Sequence, residues 1–367
     1  MQESKSSNYV RKIAVVALTS LALIWAIVRV GPATLPDLVG YVDRFSVWQD
    51  PNLPAGISYI RENLIHILIY QQLGERGINT YMIQWAVTTA IALLLLSLWY
   101  SDSAGPGRRS LGIRLAFLSP VVAVLFGFIG SYDPITVIGA VGLLFAWRNK
   151  SRILALGAGV LLGFQHWSQA LLMVVTLCIV MWALSRESPW FDRGRILWWS
   201  PIGVILGKGL SFLVLWLVSG SVSGNRLSYF GSEEMRSAVI TSINHFPILL
   251  FSIFAGAWVI VAKVMIALNR TSLIVITASL VACMALAFAL TDQSRIFILI
   301  VLPSLALMTR WVLENPSTTG RDLKLIEVLA WVLTPVLVWT SSLGLGYVQY
   351  TGALDQMIMF VQQVMSY

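Results

Sequence analysis

Charge is scarce in this sequence. Asp, Glu, Lys and Arg make up 11% of 367 residues against 57% hydrophobic, and the mean hydropathy is +0.78. So little polar surface cannot wrap a water-soluble globule. Residues of redox and metal chemistry are also few, with two cysteines and three histidines. Cys178 and Cys283 both fall inside apolar runs, where they read as packing residues and not as a disulfide or metal pair. There is no P-loop, no paired-cysteine motif, no HExxH and no GxSxG. An ATP-driven pump core, a zinc hydrolase and an α/β-type serine hydrolase therefore have nothing to stand on. A net charge of +8 would suit nucleic acid, but the basic residues recur between apolar runs in no single patch. Membrane orientation produces that pattern, so no nucleic-acid partner is expected.

What is present in quantity is apolar sequence in runs near bilayer length. They predict an all-α, polytopic membrane protein, one integral domain over residues 1–367, with the lipid bilayer as its solvent. The runs fall at about 13–30, 81–100, 115–130, 135–147, 153–166, 168–184, 196–217, 246–268, 271–290, 296–308 and 326–347, which makes about eleven transmembrane helices. The first follows a short basic tail without a small-residue cleavage site, as a retained signal anchor does. With the N-terminus in the cytoplasm, every short basic connection falls inside, including 101–114, 148–152 and 185–195; the C-terminus is then extracytoplasmic.

On the outer side this topology places two long segments, 31–80 and 218–247, and three tight turns at 131–134, 165–169 and 291–295. All three histidines, His66, His166 and His245, land there. The first long segment is the densest polar stretch of the chain, and residues 56–72 within it predict an amphipathic interfacial helix. The second is rich in Ser and Gly. Two hairpins are short: 153–184 and 115–147 each hold two spans in fewer than the roughly 40 residues that two crossings need. Their outer turns, with Asp133 and His166, are expected below the membrane surface, lining a hydrated recess.

The layout resembles the GT-C superfamily of membrane glycosyltransferases. The likeness lies in one span followed by a long outer loop that carries an acid, Tyr41-Val42-Asp43-Arg44, and then an interfacial helix. It continues with a second acid after the third span, in Gly130-Ser131-Tyr132-Asp133-Pro134, and a second long loop at 218–247. It covers about residues 1–250, and departs in lacking an adjacent acid pair near the end of the first span. The resemblance implies an enzyme that transfers a sugar from a polyprenyl-phosphate donor to a glycan, lipid or protein acceptor on the extracytoplasmic face.

Such a transfer, by single displacement, needs one carboxylate base. Asp43 is the first candidate and Asp133 the second. The leaving phosphate needs cations, for which Lys208, within a span, and the guanidinium groups of Arg226, Arg236 and Arg295 are available. Arg295 also stands one helical turn from Asp292, a natural ion-pair partner. His166 and Asp292 complete the expected outer cavity, with Arg61, Glu62, His66 and His245 as further binding candidates. The chemistry requires no cofactor; a divalent metal on Asp133 and His166 is allowed by residue type. Two other readings fit the composition: an O-antigen-type polymerase or ligase acting on lipid-linked glycans through outer Arg and His, and a transporter or lipid flippase.

Overall fold

The computed structural model describes residues 2–34, 38–50, 61, 63–73, 77–101, 105–188, 195–220, 231–290 and 293–334. Among them every regular element is a helix, and the strand-like contact is an isolated parallel bridge between Thr34 and Ile129. In hydrocarbon a segment must pair its backbone groups internally, and helix does so. In chain order the helices are α1 (Gln2–Val30), α2 (Leu38–Asp43), α3 (Leu64–Gln72), α4 (Ile78–Ser101), α5 (Pro106–Phe117), α6 (Pro120–Gly127), α7 (Asp133–Arg148), α8 (Arg152–Glu187), α9 (Trp199–Ser219), α10 (Glu233–Asn244), α11 (Phe246–Ser252), α12 (Trp258–Ala267), α13 (Arg270–Phe288), α14 (Gln293–Glu314) and α15 (Gly320–Val332).

Six helical stretches are long and apolar enough to cross a membrane, and a seventh if α5 and α6, bent by 42° at Leu118–Ser119, act as one span. The chain is thus a multi-pass helical membrane protein, with fewer long apolar helices than the eleven expected. The runs at 135–147 and 246–268 form helices too short for a bilayer: α7 has 16 residues, and the second run is broken into α11 and α12. Those at 153–166 and 168–184 fall in one 36-residue helical stretch, α8, as two limbs on either side of a break at His166. The run at 326–347 passes out of the described residues after Thr334.

The axis of the bundle is α14, whose apolar window is 94% buried. A helix apolar all round is stable only with neighbours on every side. By contrast α1, α9 and α13 turn Ile24, Ile205, Leu217 and Ile274 outward, as lipid-facing helices do. One end of the bundle is basic: Arg310 lies over Trp99 and Trp147, and Arg114 pairs with Glu327 of α15 at 2.6 Å. The other end carries the Asp133 turn, the start of α14 and the segments after α1.

Helix α8 does not run straight. A Cβ added at Gly159 would stand 2.4 Å from the Ser200 carbonyl oxygen, and one at Gly163 2.1 Å from that of Val204. The first limb of α8 therefore runs parallel to α9 in backbone-to-backbone contact, through Gly159, Gly163, Gly203 and Gly207, the small-xxx-small arrangement of membrane helices. In a straight α8, Glu187 would stand roughly 40 Å beyond the level of Gly159. Arg195 lies on the opposite side of that level, at the entry to α9, and the eight residues from Glu187 to Arg195 span at most about 28 Å. The helix consequently folds back at His166, whose φ −159° and ψ 79° are non-helical. The returning limb packs on α13, with Thr176 Oγ1 3.1 Å from Cys283 Sγ and the Ser272 hydroxyl donating to the Ala183 carbonyl.

Gly163→Ala should force α8 and α9 apart, because the obstacle is backbone, and lower the thermal midpoint in detergent by several degrees, on the order of 1–3 kcal/mol. Gly157→Ala, on the open face of the same limb with nothing within 4 Å, should leave the midpoint unchanged or raise it. Equal midpoints for the two variants would refute the close approach.

Candidate functional site

The polar end is built on the turn between α6 and α7. Gly130 takes φ +88°, a conformation open to glycine, and Asp133 then starts α7 with Pro134 in the first turn, where its missing N–H is harmless. Asp133 is fully buried, and Arg295, near the start of α14, is 5% exposed. Arg295 Nε donates to Asp133 Oδ2 at 2.7 Å and Nη2 to Oδ1 at 2.9 Å. The Ser131 hydroxyl donates to Oδ2 at 2.9 Å, and the guanidinium lies over Phe128 and Tyr132 at 5.0 and 5.2 Å. Charges at this depth persist when each is paired and bonded, as both are here. Tyr132 in turn stacks on His166 at 6.0 Å, so the break in α8 sits against the same turn.

The chain leaving α1 is pinned to this turn. The Ala33 N–H donates to Phe126 O and the Ile129 N–H to Ala33 O, at 3.0 and 2.9 Å. Then α2, a short 3-10 turn at Arg44–Ser46, and α3 bury Tyr41, Phe45, Trp48, Leu64 and Tyr70 in one cluster with Tyr81 of α4 and Phe164 of α8. Aromatic rings meeting edge to face fix such a cluster more firmly than area alone. Arg61 staples its edge, donating to the carbonyls of Trp48 and Asp50.

Within the cluster His66 is completely buried. The Tyr81 hydroxyl donates to the Gly130 carbonyl, so its oxygen accepts from His66 Nε2 at 2.8 Å; His66 Nδ1 accepts from Gln84 Nε2 at 3.2 Å. Both ring nitrogens are thereby assigned and the imidazole is neutral. Burial pushes its pKa down to about 3.

The structure thus brings Asp133, Arg295 and His166 together and ties His66 to them through Tyr81 and Gly130. Arg295 pairs across the fold with Asp133; Asp292, its expected local partner, lies outside the described residues, as do Glu62 and Arg226. Lys208 is half-buried on α9, its Nζ 4.3 Å from the Phe212 ring centroid and 5.7 Å from that of Trp167, beside the α8 break. Asp43 is exposed at the end of α2, and Arg236 is exposed on α10. His245 donates from Nδ1 to the Thr241 carbonyl at 3.0 Å, between α10 and α11. Among the described residues no three His, Cys, Asp or Glu converge on a metal position. The Asp133 carboxylate is engaged by Arg295 and Ser131, so the proposed Asp133–His166 donor pair does not fit a divalent cation.

Sequence reasoning passed over Tyr81, Gln84, Thr136, Gln165 and Gln169. Gln84 carried a signal, as a carboxamide inside an apolar span. Gln165 is fully buried with neither carboxamide atom hydrogen-bonded; Gln169 Oε1 and Thr136 Oγ1 are buried and likewise unsatisfied. Each such group costs about 1–3 kcal/mol.

Asp133→Asn or Arg295→Leu should each destabilise the protein by about 3–5 kcal/mol by stranding a buried partner. The double variant should regain much of that loss in thermal unfolding, and strict additivity would show that the pair is not coupled. His66 gives a pH signature. An unfolded chain takes up its proton below about 6.5, whereas the folded one does not until about 3. Stability should therefore fall as pH drops from 6.5 towards 3, by up to about 5 kcal/mol. His66→Gln, which keeps an N–H for Tyr81, should flatten denaturation curves across that window; an unchanged acid limb would assign the sensitivity elsewhere.

No protein-family model, curated protein or solved structure matches the chain, so a functional reading stands on the arrangement of its own residues.

Proposed function

We propose that the protein is a membrane glycosyltransferase of GT-C type, taking a sugar from a polyprenyl-phosphate donor at the extracytoplasmic face, with Asp43 as the base. The observation that carries this reading is the unequal placement of the two candidate acids. Asp133 spends its lone pairs on Arg295 and Ser131. Asp43 is exposed, while its neighbours Tyr41, Val42 and Phe45 are buried in the aromatic cluster that holds the helix end rigid. A general base needs that combination of access and fixed position.

In the reaction the acceptor hydroxyl gives its proton to the Asp43 carboxylate as its oxygen attacks the anomeric carbon. The bond from that carbon to the phosphate oxygen breaks on the opposite face, inverting the centre, and the electron pair leaves on the phosphate. Lys208, half-buried on α9 beside the α8 break, is the preferred cation for the leaving group among the described residues, with Arg236, exposed on α10, as an alternative. The exposed apolar flank of α9, with Ile205, Leu206 and Trp216, gives the prenyl chain a path from the bilayer to Lys208.

Wild-type protein given polyprenyl-phosphate sugars should deplete one of them, followed by lipid mass spectrometry. Asp43→Asn should bind the same lipid within about threefold yet turn over 10²–10⁴-fold more slowly. Retention of more than a tenth of the rate would remove Asp43 as base and favour the polymerase or ligase reading. Failure of the wild type to consume any such lipid would sink the transferase and bring the transporter forward.

A further inference from the structure

Helix α10 carries an apolar stripe that the rest of the described protein leaves open. Its docked side is marked by Ala238 and Ser242, one turn apart and both buried; the Ser242 hydroxyl donates to the Phe288 carbonyl at 2.9 Å. Ile240 is two residues from each of them and so projects on the opposite side, where it is 53% exposed. Ile243 shares that stripe at 67% exposure, and Phe246, which opens α11 and meets Phe288 edge to face at 6.2 Å, is still 42% exposed. Arg236 stands one turn before Ile240 on the same stripe. The adjoining flank is polar, with Glu233, Ser237 and Asn244 all exposed. The helix thus has one side for the bundle, one that is apolar with a single arginine, and one for water.

The height of α10 decides what meets the apolar side. Phe288 closes α13, whose 19 residues from Arg270 rise about 28 Å, close to the roughly 30 Å of a hydrocarbon core. Ile274, Val281 and Leu286 on that helix are exposed, as lipid-facing residues are. A helix docked on the last turn of a spanning helix lies at the level of the membrane surface. A protein partner fits the stripe poorly: three side chains about half exposed offer on the order of 300 Å², against the roughly 800 Å² per partner of a stable interface. A leaflet fits all of it. Acyl chains cover the two isoleucines and the phenylalanine, the Arg236 stem lies along them while its guanidinium reaches phosphate oxygens, and the polar flank stays in water.

We infer that α10 is an interfacial helix, seated in the leaflet at the polar end of the bundle, with phospholipid as the partner of its apolar stripe. The seat holds Arg236 at the level of the headgroup phosphates, and it does not rest on the transferase reading.

The test places the photocrosslinker p-benzoylphenylalanine in the full chain, in place of Ile243 or, on the polar flank, of Ser237. Each variant is irradiated in phosphatidylcholine–phosphatidylglycerol vesicles and weighed by mass spectrometry. Lipid adducts should form in about fivefold or greater yield at the first position. If that variant does not fold, replacement of Ile240 decides on the same ratio. Equal yields on the two flanks overturn the inference. So does capture of a second copy of the chain from the apolar stripe, which would make it a subunit contact. Neither outcome depends on whether the protein consumes a polyprenyl lipid, so the interfacial helix and the transferase fail separately.

Discussion

Asp133 and Arg295 are 162 residues apart in sequence and 2.7 Å apart in space, and the polar end of the bundle hangs from that contact. An ionised pair among helices with lipid-facing flanks persists only if both charges are bonded, which fixes the first turn of α7 against the start of α14. Once that turn is fixed, so is the Gly130 carbonyl, and Tyr81 must come to it. Tyr81 then fixes His66, and His66 fixes α3 against α4 through Gln84. The loop after α1 is thereby held by a chain of neutral hydrogen bonds that ends on one buried charge pair. Low dielectric makes each link stronger and each break more damaging.

On the proposed transferase reading, that chain separates structural from chemical duties. Asp133 accepts from a guanidinium fork and a hydroxyl and is fully buried, so three of its roughly four acceptor sites are taken and none faces solvent. Asp43, at the end of a six-residue helix on a platform of buried rings, is exposed, and the proposed function gives it the part of the base. The same division applies to the cations. Arg295 is held by Asp133 inside the fold, and Lys208 sits half-buried over the rings of Phe212 and Trp167, where the proposed leaving phosphate would meet it.

The helical, multi-pass character was legible from composition, because the chain has too little polar surface for any other answer. The number of long apolar helices was not, since a run such as 135–147 has the composition of a span without its length, and the 246–268 run is interrupted by Phe254–Ala257. Asp133, His166, His66 and Arg295 could be picked out as polar groups on one side of the apolar runs. Their connections could not, because a helical-turn rule offers Asp292 to Arg295 and is blind to a residue on another helix. Tyr81 and Gln165 were hidden for a related reason: an aromatic or an amide near a span end has the composition of an interfacial anchor, and only packing tells which of them is buried.

The glycine contact between α8 and α9 explains why the break in α8 falls where it does. Backbones pressed together from Gly159 to Gly207 leave the first limb no freedom to tilt, so its end is delivered at a set height beside α7. That limb, 14 residues long from Arg152 to Gln165, rises about 21 Å, less than the roughly 30 Å hydrocarbon core. If its basic foot sits at one membrane surface, the turn that carries His166 lies below the other, where water is scarce and unsatisfied amides are expensive. A sequence that places two glutamines at such a point accepts a loss of stability that leucine would have avoided, and function is the usual reason such losses are retained.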